Sequence, residues 1–367
     1  MNLSPLFILF FLHSVVLATP IVETVAGTGR KELNLHRGSA DKVNIADPFG
    51  VEFGPNGRLH ITEVGNHRIL AVDLKTGRVQ SVVGTGMKGY SGDGGPAIEA
   101  DLNEPYEVRF DKAGNMYFVE MQNHIIRMVD KKSGYVHTLA GTGKKGYSGD
   151  GGTATKATFN RPHSIALDEA NGHLYIADIG NHRIRRLNLA NGNVQTFAGN
   201  GKKKLPRDET KVGPNVPIIG PRALYLTKGI LWVALREGHS IWKIDLETEI
   251  IRHIAGTGKK GFSGDGGPAT RGTFNGPKGI VVDAKVENVY VVDTENQALR
   301  GIHLQSGLLS SLAGYGPKGR GFNGEKVAAG KAMFGRPHGI CVGPDGYIYT
   351  GDTLNHRVRR VKPKPRP

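Results

Sequence analysis

One unit recurs along this chain at a nearly constant spacing, and this repetition limits the fold more than any other feature. Its clearest copy, Pro162 to Gly201, holds four short runs in which hydrophobic and polar residues alternate: His163 to Leu167, His173 to Ala177, His182 to Leu189 and Val194 to Gly199. Clusters of Gly, Asn and Asp separate the runs. This pattern predicts four antiparallel β-strands joined by tight turns.

A proline opens each copy of the unit and fixes its phase. By subtraction the successive prolines are 57, 57, 59, 56 and 60 residues apart, and they are Pro48, Pro105, Pro162, Pro221, Pro277 and Pro337. A single four-stranded sheet cannot bury both of its faces alone. The six copies are therefore expected to pack against one another as one array.

The strand that should end the sixth copy is found at the other end of the chain. Copy six stops after its third strand, near Val361, whereas a typical fourth strand, Ile21 to Gly29, precedes every first strand. If this N-terminal strand completes the last sheet, the array closes and no sheet edge stays unpaired. The sequence thus predicts an all-β fold over residues 21–361, a closed six-bladed β-propeller with four antiparallel strands per blade.

A second marker separates the second and third strands of most copies. It is an acidic residue followed three positions later by Asn and then usually by His, and its acidic members are Glu63, Glu120, Asp178, Asp293 and Asp352. We expect these carboxylates to accept backbone hydrogen bonds from the following turn rather than to hold metal. The same structural role is expected for the recurring histidines, His67, His124, His182, His239 and His356.

The sequences GNHRI at Gly65 and Gly180 and LNHRV at Leu354 resemble the NHL repeat, and the resemblance covers almost all of the chain after the first twenty residues. It implies a propeller of the NHL-repeat family. Similar six-bladed proteins include RNA-binding domains, extracellular sensor domains, peptidyl-hydroxyglycine lyases and, more remotely, SMP-30/gluconolactonase-like enzymes. Because this fold has so many uses, the resemblance does not fix a function.

Residues 1–20 are predicted to be a signal peptide. The apolar stretch Leu6 to Leu17 is too short to span a membrane, and Val16 and Ala18 suit a small-residue cleavage site. We therefore expect a secreted or periplasmic protein without a membrane span, and a monomer. Cys341 is the single cysteine, so no intramolecular disulfide can form, and its apolar neighbours predict that it is buried.

The formal net charge is +15, and part of it lies in the basic, Pro-rich tail at residues 362–367. Such a charge favours anionic partners, among them nucleic acid, polysaccharide and anionic lipid. RNA binding is disfavoured by the predicted signal peptide and by the scarcity of aromatic residues for base stacking. A small anionic ligand, a polysaccharide or a protein partner remains.

Three long connections between copies contain the sequence SGDGG, around Asp93, Asp150 and Asp265. Flanking glycines permit positive φ, so such a loop could offer backbone N–H groups to an anion or Asp oxygens to calcium. The spacing of acidic residues matches no calcium loop, and no phosphate-loop lysine is present. We expect shaped loops that pack over one face of the ring.

The residues that differ between copies are better candidates for a binding site. After each proline, at the start of the innermost strand, stand Phe49, Tyr106, His163, Arg222, Lys278 and His338. Polar groups that converge at one mouth of a central channel form the default binding site of such a ring. The predicted ligand-binding residues are His163, Arg222, Lys278, His338, Tyr106 and Glu107. Protonation of the two histidines is expected to strengthen anion binding below about pH 6.5.

The favoured function is thus an exported scaffold that binds an anionic ligand or partner at the channel mouth. The alternative is a metal-assisted lyase or lactone hydrolase at the same place. Pro-His-Ser-Ile at Pro162 and Pro-His-Gly-Ile at Pro337 resemble the peptidyl-hydroxyglycine lyases, whose histidines from three alternate blades hold zinc; here neither set of three is complete. A divalent metal, calcium or zinc, held by His163, His338 and Glu107 is the candidate that remains.

Overall fold

The computed structural model describes residues 19–363, and most of that range is β-strand or turn. Six antiparallel sheets surround a central axis, and the first strand of each sheet contacts the first strands of its neighbours. The predicted six-bladed β-propeller is confirmed. Between residues 19 and 363 the only helical segments are single 3-10 turns, and none is long and apolar enough to cross a membrane.

Each blade has four main strands, numbered here from the axis outward. They are Pro48–Phe53, Leu59–Glu63, Arg68–Asp73 and Arg78–Val83 in blade one; Pro105–Phe110, Met116–Glu120, Ile125–Val129 and Val136–Ala140 in blade two; Ile165–Asp168, His173–Asp178, Arg183–Asn188 and Val194–Ala198 in blade three; Pro221–Thr227, Ile230–Leu235, Ser240–Asp245 and Ile250–Ala255 in blade four; Pro277–Val282, Asn288–Asp293, Ala298–His303 and Leu309–Ala313 in blade five; and Ile340–Val342, Ile348–Asp352, Arg357–Val361 and Ile21–Ala26 in blade six.

The N-terminal strand closes the ring as predicted. Ile21–Ala26 runs antiparallel to Arg357–Val361, with Val22 opposite Val361 and Thr24 opposite Arg359. Val22 and Ala26 are fully buried. Blade six is therefore completed by residues from both ends of the described chain.

The core of the protein lies between blades rather than within any one of them. Second strands such as Leu59–Glu63 and Met116–Glu120 are buried along their whole length, because a neighbouring blade covers each face. One cluster joins Tyr175 and Phe197 of blade three to Leu224 and Trp242 of blade four. This arrangement explains why one repeat cannot fold alone.

Each connection between blades reaches the outer edge of the blade that follows. Before blades one, four and six it adds a short fifth strand, respectively Arg37–Ser39, Thr210–Lys211 and Val327–Ala328. Before blades two, three and five, the SGDGG connections make only single bridges to that edge, Pro96 with Tyr135, Thr153 with Asn193 and Pro268 with Leu308. The two kinds of connection thus cover equivalent positions on the ring.

Two predicted segments fall largely outside the described residues. Of the predicted signal peptide, residues 1–20, the structure describes only Thr19 and Pro20, and of the tail, residues 362–367, only Lys362 and Pro363. Cys341 is buried in the inner strand of blade six, as its neighbours predicted.

Candidate binding site at the channel mouth

The repeated acidic residue of five blades is part of a buried ion pair. Asp293 Oδ1 accepts a hydrogen bond from the backbone N–H of Asn275 (2.7 Å), while Oδ2 accepts from the side chains of Asn296 (2.7 Å) and Arg300 (3.4 Å). Both charged side chains are fully buried, and burial raises the pKa of Asp293 to about 7. The backbone donor lies in the connection before the blade, not in the following turn as the sequence suggested.

The sequence did not predict the arginine of this pair. The equivalent arginines of the five blades are all fully buried; they are Arg68, Arg127, Arg185, Arg300 and Arg359. In four of these blades the arginine follows the repeated Asn by four residues, a spacing that comparison of the copies could have shown. Blade four, which has Leu235 in place of the acidic residue, has Trp242 on its third strand instead.

The SGDGG aspartates hold their loops against the same arginines. Asp265 Oδ1 lies 2.8 Å from Arg300 Nη2, and Asp93 and Asp150 lie 2.7 Å from the matching arginines of blades two and three. These carboxylates are bound to the protein itself, which supports the structural interpretation of the three loops.

The repeated histidines bind the next blade rather than their own turn. His182 Nδ1 of blade three accepts the backbone N–H of Gly220, the residue before the proline of blade four, at 3.1 Å. The equivalent pairs are His67 with Glu104, His124 with Arg161, His239 with Gly276 and His356 with Asp47, and in blade five Gln297 accepts from Arg336. Burial lowers the pKa of His182. Together the acidic, Asn, His or Gln and Arg side chains form what we call the rim network.

The residues after the prolines converge at the end of the channel that the rim network surrounds. The rings of His338 and Phe49 stack 3.9 Å apart, Phe49 lies 4.5 Å from Tyr106, and Tyr106 lies 4.7 Å from His163. Arg222 continues the series, with its guanidinium 5.4 Å from the Tyr106 ring. Side chains from five blades thus form one continuous cluster.

Arg222 is the exceptional member of this cluster. The residue is only 4% exposed. Within the described residues it makes no hydrogen bond or ion pair, and its sole ring contact is with Tyr106. Burial lowers the pKa of Arg222 to about 10. A buried cation without a partner is unfavourable by several kcal/mol unless something neutralises it.

Lys278 adds a second cation next to Arg222. Its Nζ donates to Glu295 Oε1 at 2.8 Å, and the same oxygen lies 2.8 Å from Arg336 Nη2. Although burial raises the pKa of Glu295, these two donors bring it down to about 2, and burial lowers the pKa of Lys278 to about 8. One carboxylate therefore serves two cations, and positive charge remains in excess on this side of the mouth.

Glu107 is engaged elsewhere in the channel. Its carboxylate forms an ion pair with Arg109, which lies 3.2 Å from Glu52 Oε2 and donates to the backbone carbonyl of Leu224. The sequence grouped Glu107 with Tyr106 as ligand-binding residues, but only Tyr106 joins the aromatic cluster. A cavity of about 200 Å³ lies beside this second charged cluster and is lined by Glu52, Phe53, Arg109, Phe110, Tyr225 and Leu226, among others.

The two histidines of the mouth are held neutral. Burial, followed by the positive charges of Arg222 and Lys278, keeps the pKa of His338 well below its usual value, and burial and Arg222 do the same for His163. The predicted gain in anion binding from their protonation below about pH 6.5 is thus opposed by their surroundings.

The metal candidates His163, His338 and Glu107 are not brought together. Phe49 and Tyr106 lie between the two histidines in the ring series, and the Glu107 carboxylate faces Arg109. Over residues 19–363 the structure shows no group of three or more His, Cys, Asp and Glu side chains arranged to hold a metal ion.

Comparison with known proteins agrees with the fold. The family model of the NHL repeat matches residues 159–187 and 334–361. NHL repeat-containing protein 2 of Gallus gallus is 26% identical over 357 residues, which cover 89% of this chain and 48% of that protein. Protein SUPPRESSOR OF QUENCHING 1 of Arabidopsis thaliana is 27% identical over 71% of this chain and 25% of its own length. The chain thus spans half or less of these curated relatives.

Solved structures share the architecture at lower sequence identity. An auxiliary nutrient binding protein of Bacteroides thetaiotaomicron superimposes with a TM-score of 0.68 and 16% identity, covering 94% of this chain and 77% of that one. A gluconolactonase of Xanthomonas campestris gives a TM-score of 0.56 and 12% identity, covering 95% of each chain. Likeness at this level of identity concerns the fold alone.

Proposed function

We propose that this chain, a six-bladed β-propeller of the NHL-repeat family, is an exported scaffold that binds a small anionic ligand at the channel mouth. The single observation that carries the proposal concerns Arg222, a residue that is 4% exposed and whose side chain has no ion pair or hydrogen bond to any described residue. A carboxylate or phosphate at the mouth would supply the missing partner through charge-assisted hydrogen bonds.

The neighbours of Arg222 suggest what kind of anion fits. Lys278 is a second cation at the mouth, already hydrogen-bonded to Glu295, and the half-buried rings of Phe49 and Tyr106 offer an apolar surface beside it. We therefore propose a ligand with one anionic group and a small apolar or cyclic body. The Bacteroides neighbour is named an auxiliary nutrient binding protein, which is compatible with such a role.

Titration calorimetry against a panel of small carboxylates and phosphates tests this site. Arg222→Ala is expected to weaken binding about tenfold to a hundredfold, because a hydrogen bond to a charged group contributes roughly 1.5 to 3 kcal/mol. The matched control removes Lys202, Lys203 and Lys204, three exposed lysines of a surface loop. Equal losses in both variants would show that general surface charge, not the mouth, attracts the ligand.

The pH dependence offers a second test. Because burial lowers the pKa of Lys278 to about 8, binding is expected to weaken as the pH rises from 7 to 9 and this cation loses its proton. Lys278→Met should remove most of that dependence while leaving the contribution of Arg222. A wild-type affinity that is constant between pH 7 and 9 would contradict the participation of Lys278.

The alternative is catalysis at the same mouth, as a metal-assisted lyase or lactone hydrolase. Its support is that the His163 Nδ1 atom lies 2.6 Å from the Arg161 carbonyl oxygen, the kind of second hydrogen bond that often orients a metal-binding histidine. Elemental analysis of the purified protein, with lactone hydrolysis assayed in the presence of added Zn²⁺ or Ca²⁺, would decide. Activity lost in His163→Ala would establish this alternative.

A further inference from the structure

A large cavity that shares no lining residue with the mouth lies against the outer strands of blade one. It has a volume of about 650 Å³, and its lining includes Arg37, Arg58, Arg78, Asp73, Thr76 and Gln80. A second cavity of about 460 Å³ adjoins it and shares Gly38, Thr76 and Arg78. We call the two together the blade-one trough. Their combined volume is far larger than a single ion needs and can hold several units of a chain-like ligand.

The trough exists because blade one departs from the other repeats. His60 stands where the second strands of the other blades carry a large aromatic residue, and Ala71 is its partner on the third strand. The aromatic residues are Tyr117, Tyr175, Trp232, Tyr290 and Tyr349. In the same row, four other blades have a large residue where blade one has Ala71: Met128, Arg186, Lys243 and Arg360. Blade five has Gly301 in this row. Ala71 of blade one therefore leaves open a space that the large residue fills in the four other blades.

The charges of the trough differ from those of the equivalent row in blade six. In blade six, Arg360 of the equivalent row is neutralised by Glu23 at 2.7 Å and also faces Asp345. By contrast, Arg37, Arg58 and Arg78 form no ion pair and donate no side-chain hydrogen bond to any described residue.

The one carboxylate of the lining, Asp73, is already occupied by the backbone N–H groups of Lys75 and Thr76. Against the three guanidinium groups of the lining, this single carboxylate leaves an excess of two positive charges.

These features together select a class of ligand. Guanidinium groups match the oxygens of sulfate and phosphate esters in a two-pronged geometry, while Gln80 and Thr76 can bond to hydroxyl groups. No aromatic side chain is among the described residues that line the trough. Single-stranded nucleic acid is normally held by stacking of its bases on aromatic rings. The lack of aromatic side chains in the lining of the trough therefore favours a sugar chain over a nucleic acid.

We propose that the blade-one trough binds an extended anionic glycan that carries sulfate or phosphate ester groups. This site is separate from the channel mouth, shares no residue with it and does not depend on the function proposed there. The protein then holds a small anion at the mouth and a polymeric one on its side.

Binding of fluorescently labelled oligosaccharides to the full chain tests the proposal. A sulfated and a phosphorylated oligosaccharide of equal length distinguish the two ester groups, and the unsubstituted sugar is the neutral control. Replacing Arg37, Arg58 and Arg78 with Gln is expected to weaken binding of the preferred ester at least about a hundredfold, since each charge-assisted contact contributes substantially. Replacing Lys202, Lys203 and Lys204 with Gln removes equal charge and is expected to change affinity less than about threefold.

A change of shape at constant charge completes the experiment. Ala71→Met introduces the side chain that blade two has at the same position, Met128, and should weaken glycan binding about tenfold by filling the trough. Anion binding at the mouth should be unchanged in this variant. Equal losses in the arginine and lysine variants, no effect of Ala71→Met, or equal binding of single-stranded DNA of the same charge would each overturn the assignment.

Discussion

The rim network and the channel mouth are adjacent, yet they differ in whether a buried arginine has a carboxylate partner within the protein. In the rim, Asp293 receives three hydrogen bonds and Arg300 is shared between two carboxylates. At the mouth, Arg222 is also buried, at 4% exposed, and has no such partner among the described residues. Arginines that recur in five blades are paired with carboxylates of the protein, whereas the arginine that only blade four has at the mouth is not. The difference separates groups that hold the ring from groups available to a ligand.

The largest expected effect tests the premise that the ring is closed. Deleting Ile21–Ala26 removes the strand that pairs with Arg357–Val361, together with its buried side chains Val22 and Ala26. The free energy of unfolding should therefore fall by several kcal/mol. Urea denaturation measures this loss. Deletion of residues 364–367 is the control and should change stability by less than about 0.5 kcal/mol. Equal stability of the two truncated proteins would argue against closure.

Within the rim, the two carboxylates that share Arg300 should differ sharply. Asp293→Ala leaves a buried arginine without its internal partner and is expected to destabilise the protein by about 3 to 5 kcal/mol. Asp265, whose side chain is 45% exposed, should contribute less than about 1 kcal/mol when it is replaced by Ala. Denaturant unfolding of both variants gives the comparison. Similar losses would mean that burial does not control the strength of these pairs.

The contrast between rim and mouth is sharpest when the same change is made in both. Arg222→Met should leave the free energy of unfolding unchanged or raise it by about 1 kcal/mol, because it removes a buried charge that has no partner. Arg300→Met should lower stability, since Asp293 then stays buried without its cation. Thermal unfolding of the two variants is the measurement. A destabilising Arg222→Met would indicate that Arg222 has a structural role.

The smallest effect concerns the histidines that join neighbouring blades. The pKa of His182 is lowered in the folded protein, so the unfolded chain binds a proton more readily than the folded one. The contribution of neutral His182 to folding stability is therefore fully present above about pH 6.5 and is lost as the pH falls. His182→Gln copies Gln297 of blade five, so it should keep the hydrogen bond and remove its titration. The variant should match wild type at pH 7.5 and lose less stability than wild type as the pH falls to 5. Parallel pH profiles would exclude this role.

The architecture could be predicted from the sequence because it depends on spacing. The prolines set the phase of the repeat, and the displaced strand Ile21–Ala26 revealed how the ring closes. Strand bounds were less certain: the first strand of blade three was expected from His163 and begins at Ile165. The mouth residues were also found from their place after each proline, since that position fixes their distance from the axis.

The state of each mouth residue could not be predicted, because it depends on what other blades bring near it. Nothing in the sequence around Arg222 shows that it lacks a partner, or that Glu107 is taken by Arg109. The neutrality of His163 and His338 likewise follows from burial and from charges on other blades. The blade-one trough is different: alignment of the repeats would have shown His60 as the smallest residue of its row, and Ala71 as small beside the large residues of four other blades.

Closure by the first strand also has a consequence for how the protein is made. Val22 and Val361 lie opposite each other although they are 339 residues apart by subtraction. During synthesis, Ile21–Ala26 emerges from the ribosome before any of its partners. It cannot pair with Arg357–Val361 until blade six has been synthesised. The five other blades can form from neighbouring hairpins. Blade six instead depends on the pairing of Ile21–Ala26 with Arg357–Val361, which has the largest entropy cost of loop closure among the strand pairs described. The ring therefore cannot close until Arg357–Val361 has been synthesised.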